Sequence, residues 1–166
     1  MHYSKAQDPF KLGEWAQNAA RELATYTLLG YRVILVYSGM SGVSSATALL
    51  LEYARLSKQT LDCVYVRKEN ERSHGTGIER NFYTQVDFTD PKTMILFVDD
   101  FVCSGETTFY MMKKFVAFYR TDFEEVTKRA YLSLSGHNSD VDYEKIVKLE
   151  ESKFFNRILA IKGEEK

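Results

Sequence analysis

The chain has 166 residues, 45% hydrophobic and 14% aromatic, with a formal net charge of −1. That length fits one domain with a real core, and the charge balance excludes a general electrostatic attraction to nucleic acid or an acidic membrane. No apolar run approaches the ~20 residues of a membrane helix, no signal-peptide core opens the chain, and Cys63 and Cys103 offer neither a disulfide framework nor a metal-ligand spacing, so a soluble, reduced, cytoplasmic protein is expected.

Asp8-Pro9 opens a helix, with the aspartate as cap and the proline in the first turn. Phe10, Leu12, Trp15, Ala16, Ala19, Leu23 and Thr27 then keep helical spacing until Gly30. Residues 1–31 therefore read as an N-terminal packing helix, with Trp15 a core side chain. Arg32–Ser38 is a first buried strand. Ser38, Gly39, Met40, Ser41 and Gly42 form a glycine-bracketed turn into a helix over Val43–Leu56. A strand, a tight turn and a helix start make an anion cradle from free N–H groups, although such a turn needs glycine for backbone reasons alone.

Leu61–Arg67 is the second strand. The segment KENERSHGTGIE that follows breaks all periodicity, so residues 68–80 are assigned to a flexible loop. Its plain reading is a solvated hairpin tip. Asn81–Thr89 alternates polar and apolar residues and suits either the returning arm of a hairpin or an edge strand.

The centre of the chain is Thr93–Thr108, TMILFVDDFVCSGETT. Met94–Val98 is an apolar run of strand length, of the kind covered on both faces. It ends in Asp99 and Asp100, followed by Cys103-Ser104-Gly105 and a helix from Glu106 with Phe109, Met112, Phe115, Val116 and Tyr119 on its inner face. N–H groups at such a helix start bind phosphate, with Ser104, Thr107 and Thr108 adding hydroxyls. The two carboxylates suit ribose hydroxyls, directly or through a hard cation such as Mg²⁺. The plain alternative is an ordinary strand–loop–helix joint with a solvated acidic turn. Arg129–Ser135 reads as a further strand ending in Gly136-His137, followed by a short helix over Asp142–Glu151 and a last strand over Arg157–Ile161. The alternation predicts a single α/β domain with an open, mainly parallel, doubly wound sheet and ligands at the carboxyl ends of its strands.

VDDFVCSGET resembles the phosphoribosyl-diphosphate (PRPP) signature of type I phosphoribosyltransferases, with the bulky Phe101 as its loose point. Tyr65-x-Arg67-Lys68-Glu69, followed by His74-Gly75-x-Gly77, resembles the flexible catalytic loop of orotate phosphoribosyltransferases. The resemblance covers Val33 to Ser135. It implies Mg²⁺-dependent transfer of ribose 5-phosphate from PRPP to a nucleobase, orotate- or pyrimidine-like, with release of pyrophosphate. In that scheme Cys103, Ser104, Gly105, Glu106 and Thr107 hold the 5′-phosphate, while Asp99 and Asp100 hold the ribose hydroxyls and the metal. Ser38, Gly39, Met40, Ser41 and Gly42, with Arg67 and Lys68, seat the pyrophosphate. Asp100, Lys68, Arg72 and His74 are the catalytic residues. A homodimer is the state such proteins commonly adopt.

The chain departs from the orotate pattern in its loop, its pyrophosphate turn and its N-terminal segment, and from the hypoxanthine pattern at Cys103. Its loop is one residue longer, with Glu71-Arg72 where the family has a lysine, and its pyrophosphate turn lacks another lysine. Cys103 replaces the aspartate with which hypoxanthine-type enzymes act on the base. The N-terminal hood that grips orotate is reduced, which leaves the acceptor open. A PRPP-binding regulatory or partner protein without transfer activity, and an unrelated α/β phosphate binder, are the alternatives.

Overall fold

A computed structural model describes residues 8–71, 77–136 and 144–164. Helix α1 spans Pro9–Leu28 and is capped by the Asp8 carboxylate, which accepts from the N–H groups of Phe10 and Lys11. Strand β1 (Arg32–Tyr37) runs directly into α2 (Gly39–Ser57). The expected separate turn over residues 39–42 is thus the first turn of α2 itself. Strand β2 (Asp62–Val66) is followed by a three-residue strand β3, Ile78–Arg80, which returns antiparallel with Val66 opposite Ile78.

Two expectations change here. The returning arm lies at 78–80, inside the segment assigned to the loop, and residues 81–90 carry no strand. Asn81 instead serves as a side-chain clamp, accepting from Cys63 N at 2.7 Å and donating to Leu61 O at 3.0 Å. The partners of that alternating segment include the backbone of Leu61 and Cys63 and the Arg32 guanidinium, which donates to Thr84 and Gln85, not a ladder.

Strand β4 (Thr93–Asp99) is buried at every residue, as a central strand with helices on both sides must be. Helix α3 (Glu106–Tyr119) follows, then α4 (Phe123–Arg129), β5 (Ala130–Leu134) and the short β6 (Val147–Lys148). Sequence reading missed α4, although Asp122 caps it by accepting from Glu125 N at 2.7 Å. It is only seven residues long, too short for a periodic signal. The expected helix over Asp142–Glu151 is a strand pair at 147–148 and a 3₁₀ turn at Leu149–Glu151; residues 142–143 lie outside the described residues. The expected strand over Arg157–Ile161 is part of a helix, α5 (Phe155–Glu164). A five-residue apolar run is ambiguous between the two states, and here packing of Ile158 against the α3 side of the sheet decided it.

The sheet order is β3-β2-β1-β4-β5-β6, with β2, β1, β4 and β5 parallel and an antiparallel strand at each edge. Alternate residues serve opposite faces. Val33, Leu35, Met94, Leu96 and Val98 pack with Trp15, Leu23, Leu49 and Tyr53 of α1 and α2. Ile34, Val36, Ile95 and Phe97 pack with Phe109, Met112, Phe115 and Ile158 of α3 and α5. The sheet is therefore doubly wound, as expected. Because the chain leaves β1 toward β2 and leaves β4 toward β5, strand order reverses between β1 and β4. A crevice opens at their carboxyl ends, where such sheets take ligands.

Candidate active site

At the carboxyl end of β1, Ser38 is 3% exposed and its hydroxyl has no hydrogen-bond partner. The next residue, Gly39, has φ +70°, a left-handed conformation that lets the chain turn at once into α2. Ser38 makes no side-chain cap bond. The first N–H groups of α2 are therefore left without one. Beyond the end of β4, Gly105, with φ +90°, precedes α3 and has no side chain, and the Ser104 hydroxyl accepts from Glu106 N at 3.3 Å. Two helix N-termini, each carrying partial positive charge, thus flank one crevice.

Between them lies the acidic pair. The Asp99 carboxylate accepts from Asp100 N at 2.8 Å and from Ser41 Oγ at 3.3 Å, and Asp100 accepts from Phe101 N at 2.9 Å. The backbone beneath is held by β5 and its extension, with Ser135 N donating to Asp99 O at 3.0 Å and Gly136 N to Asp100 O at 2.5 Å. Asp99 is 7% exposed. Burial, reinforced by the neighbouring charge of Asp100, pushes its carboxyl up to about 7 from the ordinary 3.8, against the opposing effect of the Asp100 N–H and the Ser41 hydroxyl.

A cavity of about 290 Å³ gathers these groups. Ser38, Ser41, Lys68, Asp99, Asp100, Cys103, Ser104, Gly105, Thr107 and Thr108 line it, with Phe101 and Val102 as its apolar wall. The Thr108 hydroxyl, on a residue 1% exposed, is also without a partner. Buried hydroxyls are ordinarily paired, so two orphaned ones on one small cavity mark a place built to meet a ligand. An anion would meet N–H donors and hydroxyls from both helix starts, and hydroxyl groups or a cation would meet the carboxylates.

Some expected site residues lie elsewhere. Gly39, Met40 and Gly42 do not line the cavity; Met40 is 90% exposed, and Gly42 sits behind, against Tyr37 and the Val98 carbonyl. Arg67 does not line it either, because Glu79 of β3 takes its guanidinium in an ion pair. Glu106 faces a second, adjoining cavity of about 390 Å³, shared through Ser38, Lys68 and Thr107 and completed by Glu69, Asn70 and Tyr110. The negative charge of Glu106 is thus turned out of the first cavity. Arg72 and His74 lie outside the described residues.

Sequence reading missed two supports of this site. Tyr110 donates its hydroxyl to Arg67 O at 2.7 Å and so ties α3 to the root of the segment bearing Lys68. Its position one turn after Glu106 was the available signal. Arg157 donates to the carbonyl of Cys103 across 54 residues, a contact that no local pattern announces.

The donor set fits Mg²⁺, which is commonly held by one or two carboxylates together with substrate oxygens and water. Among the described residues no three histidine, cysteine or acidic side chains converge as a metal cage. None of the helices among those residues is long and apolar enough to cross a membrane.

No protein-family profile matches the chain, and no curated protein matches it in sequence. Among solved structures it is similar to the crystal structure of orotate phosphoribosyltransferase from Francisella tularensis, with 19% identity and a TM-score of 0.46 over 84% of this chain. The match spans 59% of that enzyme's length.

Proposed function

We propose that this chain is a Mg²⁺-dependent phosphoribosyltransferase that transfers the ribose 5-phosphate of PRPP to a nucleobase and releases pyrophosphate. One observation carries the reading: two helix starts, an acidic pair, a lysine and two unpartnered buried hydroxyls converge on one cavity at the reversal point of the sheet. PRPP presents a matching set of groups, namely a 5′-phosphate, vicinal hydroxyls and a diphosphate.

The α3 start, with Ser104 and Thr107, takes the 5′-phosphate through N–H and hydroxyl donors. Asp99 and Asp100 accept from the ribose hydroxyls and hold the ring. As the bond to pyrophosphate breaks, the ribose becomes cationic, and the Asp100 carboxylate offers it a fixed negative charge. The α2 start, with Ser38 and Ser41, faces the diphosphate, and the Lys68 ammonium meets the charge that grows on it as it leaves. Mg²⁺, held by the acidic pair and the substrate, supplies further charge neutralisation. A homodimer and a cytoplasmic location belong to the same reading.

The deciding experiment incubates the protein with PRPP, Mg²⁺ and a panel of nucleobases and measures pyrophosphate. Release dependent on one base is the expected result. PRPP binding without turnover would replace the enzyme with a PRPP-binding regulatory protein, and no PRPP binding would overturn both.

A further inference from the structure

From the far end of the chain, α5 reaches the back of the phosphate cradle, and we infer that Arg157 is a positioning residue for phosphate binding, keeping the Cys103 carbonyl turned out of the cradle. The inference rests on the proposed phosphate site. Its observations are separate ones. The Arg157 guanidinium donates to Cys103 O and lies over the Phe154 ring, 5.0 Å from its centroid. Phe154 is 1% exposed, so the ring is a fixed platform under a long side chain that would otherwise be free to move. The next residue, Ile158, is fully buried, and its Cγ1 lies 3.3 Å from where a β-carbon on Gly105 would sit, with Arg157 Cβ at 3.6 Å. Two successive residues of α5 therefore grip the loop from behind, one at Cys103 and one at Gly105.

A cradle of backbone amides attracts an anion only while its N–H groups face inward and its carbonyls face away. Cys103 is exposed, so burial does not fix the peptide that carries its carbonyl. Rotation would point a carbonyl oxygen at the bound phosphate, replacing attraction by repulsion. A charged donor on the outer side holds that oxygen where it is, through a hydrogen bond of the stronger, charge-assisted kind. Arg157 does not line the cavity, so it acts through the loop, not on the ligand.

Ribose 5-phosphate binding by calorimetry, on the full chain, tests this with Arg157→Met, which keeps the apolar stem over Phe154 but has no donor, and Arg157→Lys, which restores one. Arg157→Met should lose about tenfold in affinity and Arg157→Lys should recover most of it, with both variants folded. Amide resonances of Cys103–Thr107 should move in the methionine variant and return in the lysine variant. If the wild-type chain binds no ribose 5-phosphate, the phosphate site itself fails and this inference with it. If the wild type binds and folded Arg157→Met binds equally well, or the lysine variant gives no recovery, only the positioning role of Arg157 is overturned.

Discussion

The side chain of Lys68 lies across Gly39, with its Cε 2.8 Å and its Nζ 3.1 Å from the point that a β-carbon on residue 39 would occupy. The first turn of α2 and the end of a lysine two residues beyond β2 thus share one space, and only glycine leaves room for both. Gly39→Ala adds a methyl at φ +70° as well, a strain of about 1–2 kcal/mol in its own right. The variant should remain folded with a lowered denaturation midpoint, and it should displace the ammonium from the cavity. Lys68→Ala should instead spare PRPP binding and chiefly slow transfer. Equal turnover in wild type and Gly39→Ala would show that the placement of Lys68 is immaterial.

Asp99 makes stability depend on pH in a defined direction. Its folded-state value is raised to about 7 by burial, above the 3.8 of an ordinary aspartate. Below about 4 both states hold the proton. As pH climbs from there toward 7 the unfolded chain releases it while the folded chain keeps it, so this contribution to stability is lost across that window and is gone above it. Asp99→Asn keeps the acceptor for Asp100 N–H and carries no charge to desolvate. Its thermal midpoint should exceed that of the wild type by a few degrees at pH 8 and converge with it near pH 4. A difference that does not vary with pH would refute the assignment.

For ligand binding the sign is opposite, since a ribose hydroxyl or Mg²⁺ needs the charged carboxylates. Replacing both, Asp99→Asn with Asp100→Asn, should leave the chain folded, because the pair sits at a strand end. It should weaken PRPP binding by about a hundredfold or more. Calorimetry in Mg²⁺ measures it directly, and unchanged binding would reduce the pair to a solvated turn.

Tyr110→Phe deletes the bond to Arg67 O and nothing else within the side chain. The expected cost is about 1 kcal/mol of stability. Hydrogen exchange should quicken at Arg67 and Lys68, next to the lost bond, while the strand interior of β4 stays protected. If exchange at those two residues is unaltered, α3 does not brace this segment.

The two thiols should separate cleanly. Cys103 is exposed on the rim of the cavity, whereas Cys63 is 4% exposed and burial pushes its thiol up to about 12. A disulfide reagent at pH 8 should modify one thiol rapidly, Cys103→Ser should abolish that reaction, and ribose 5-phosphate should slow it in the wild type. Rapid reaction of both thiols in the folded chain would contradict the burial of Cys63.

Much of this molecule could be read from its residues because the relevant signals are local. The runs Arg32–Ser38 and Met94–Val98, the cap at Asp8-Pro9 and the glycines at the starts of α2 and α3 each state their conformation within a few neighbours, and together they imply a doubly wound sheet with Asp99 and Asp100 at a strand end. Tertiary structure decided what neighbours cannot encode. Burial of Ile158 under the cradle made Arg157–Ile161 helical, where its short apolar run fitted a strand equally well. Glu79, twelve residues away in sequence, claimed Arg67 and left Lys68 to the cavity. Rotation of α3 directed Thr107 into the cradle and Glu106 into the cavity beside it as well. Charge on a side chain is written in the sequence. Where that charge points, and what desolvates it, is settled only when distant elements close over it.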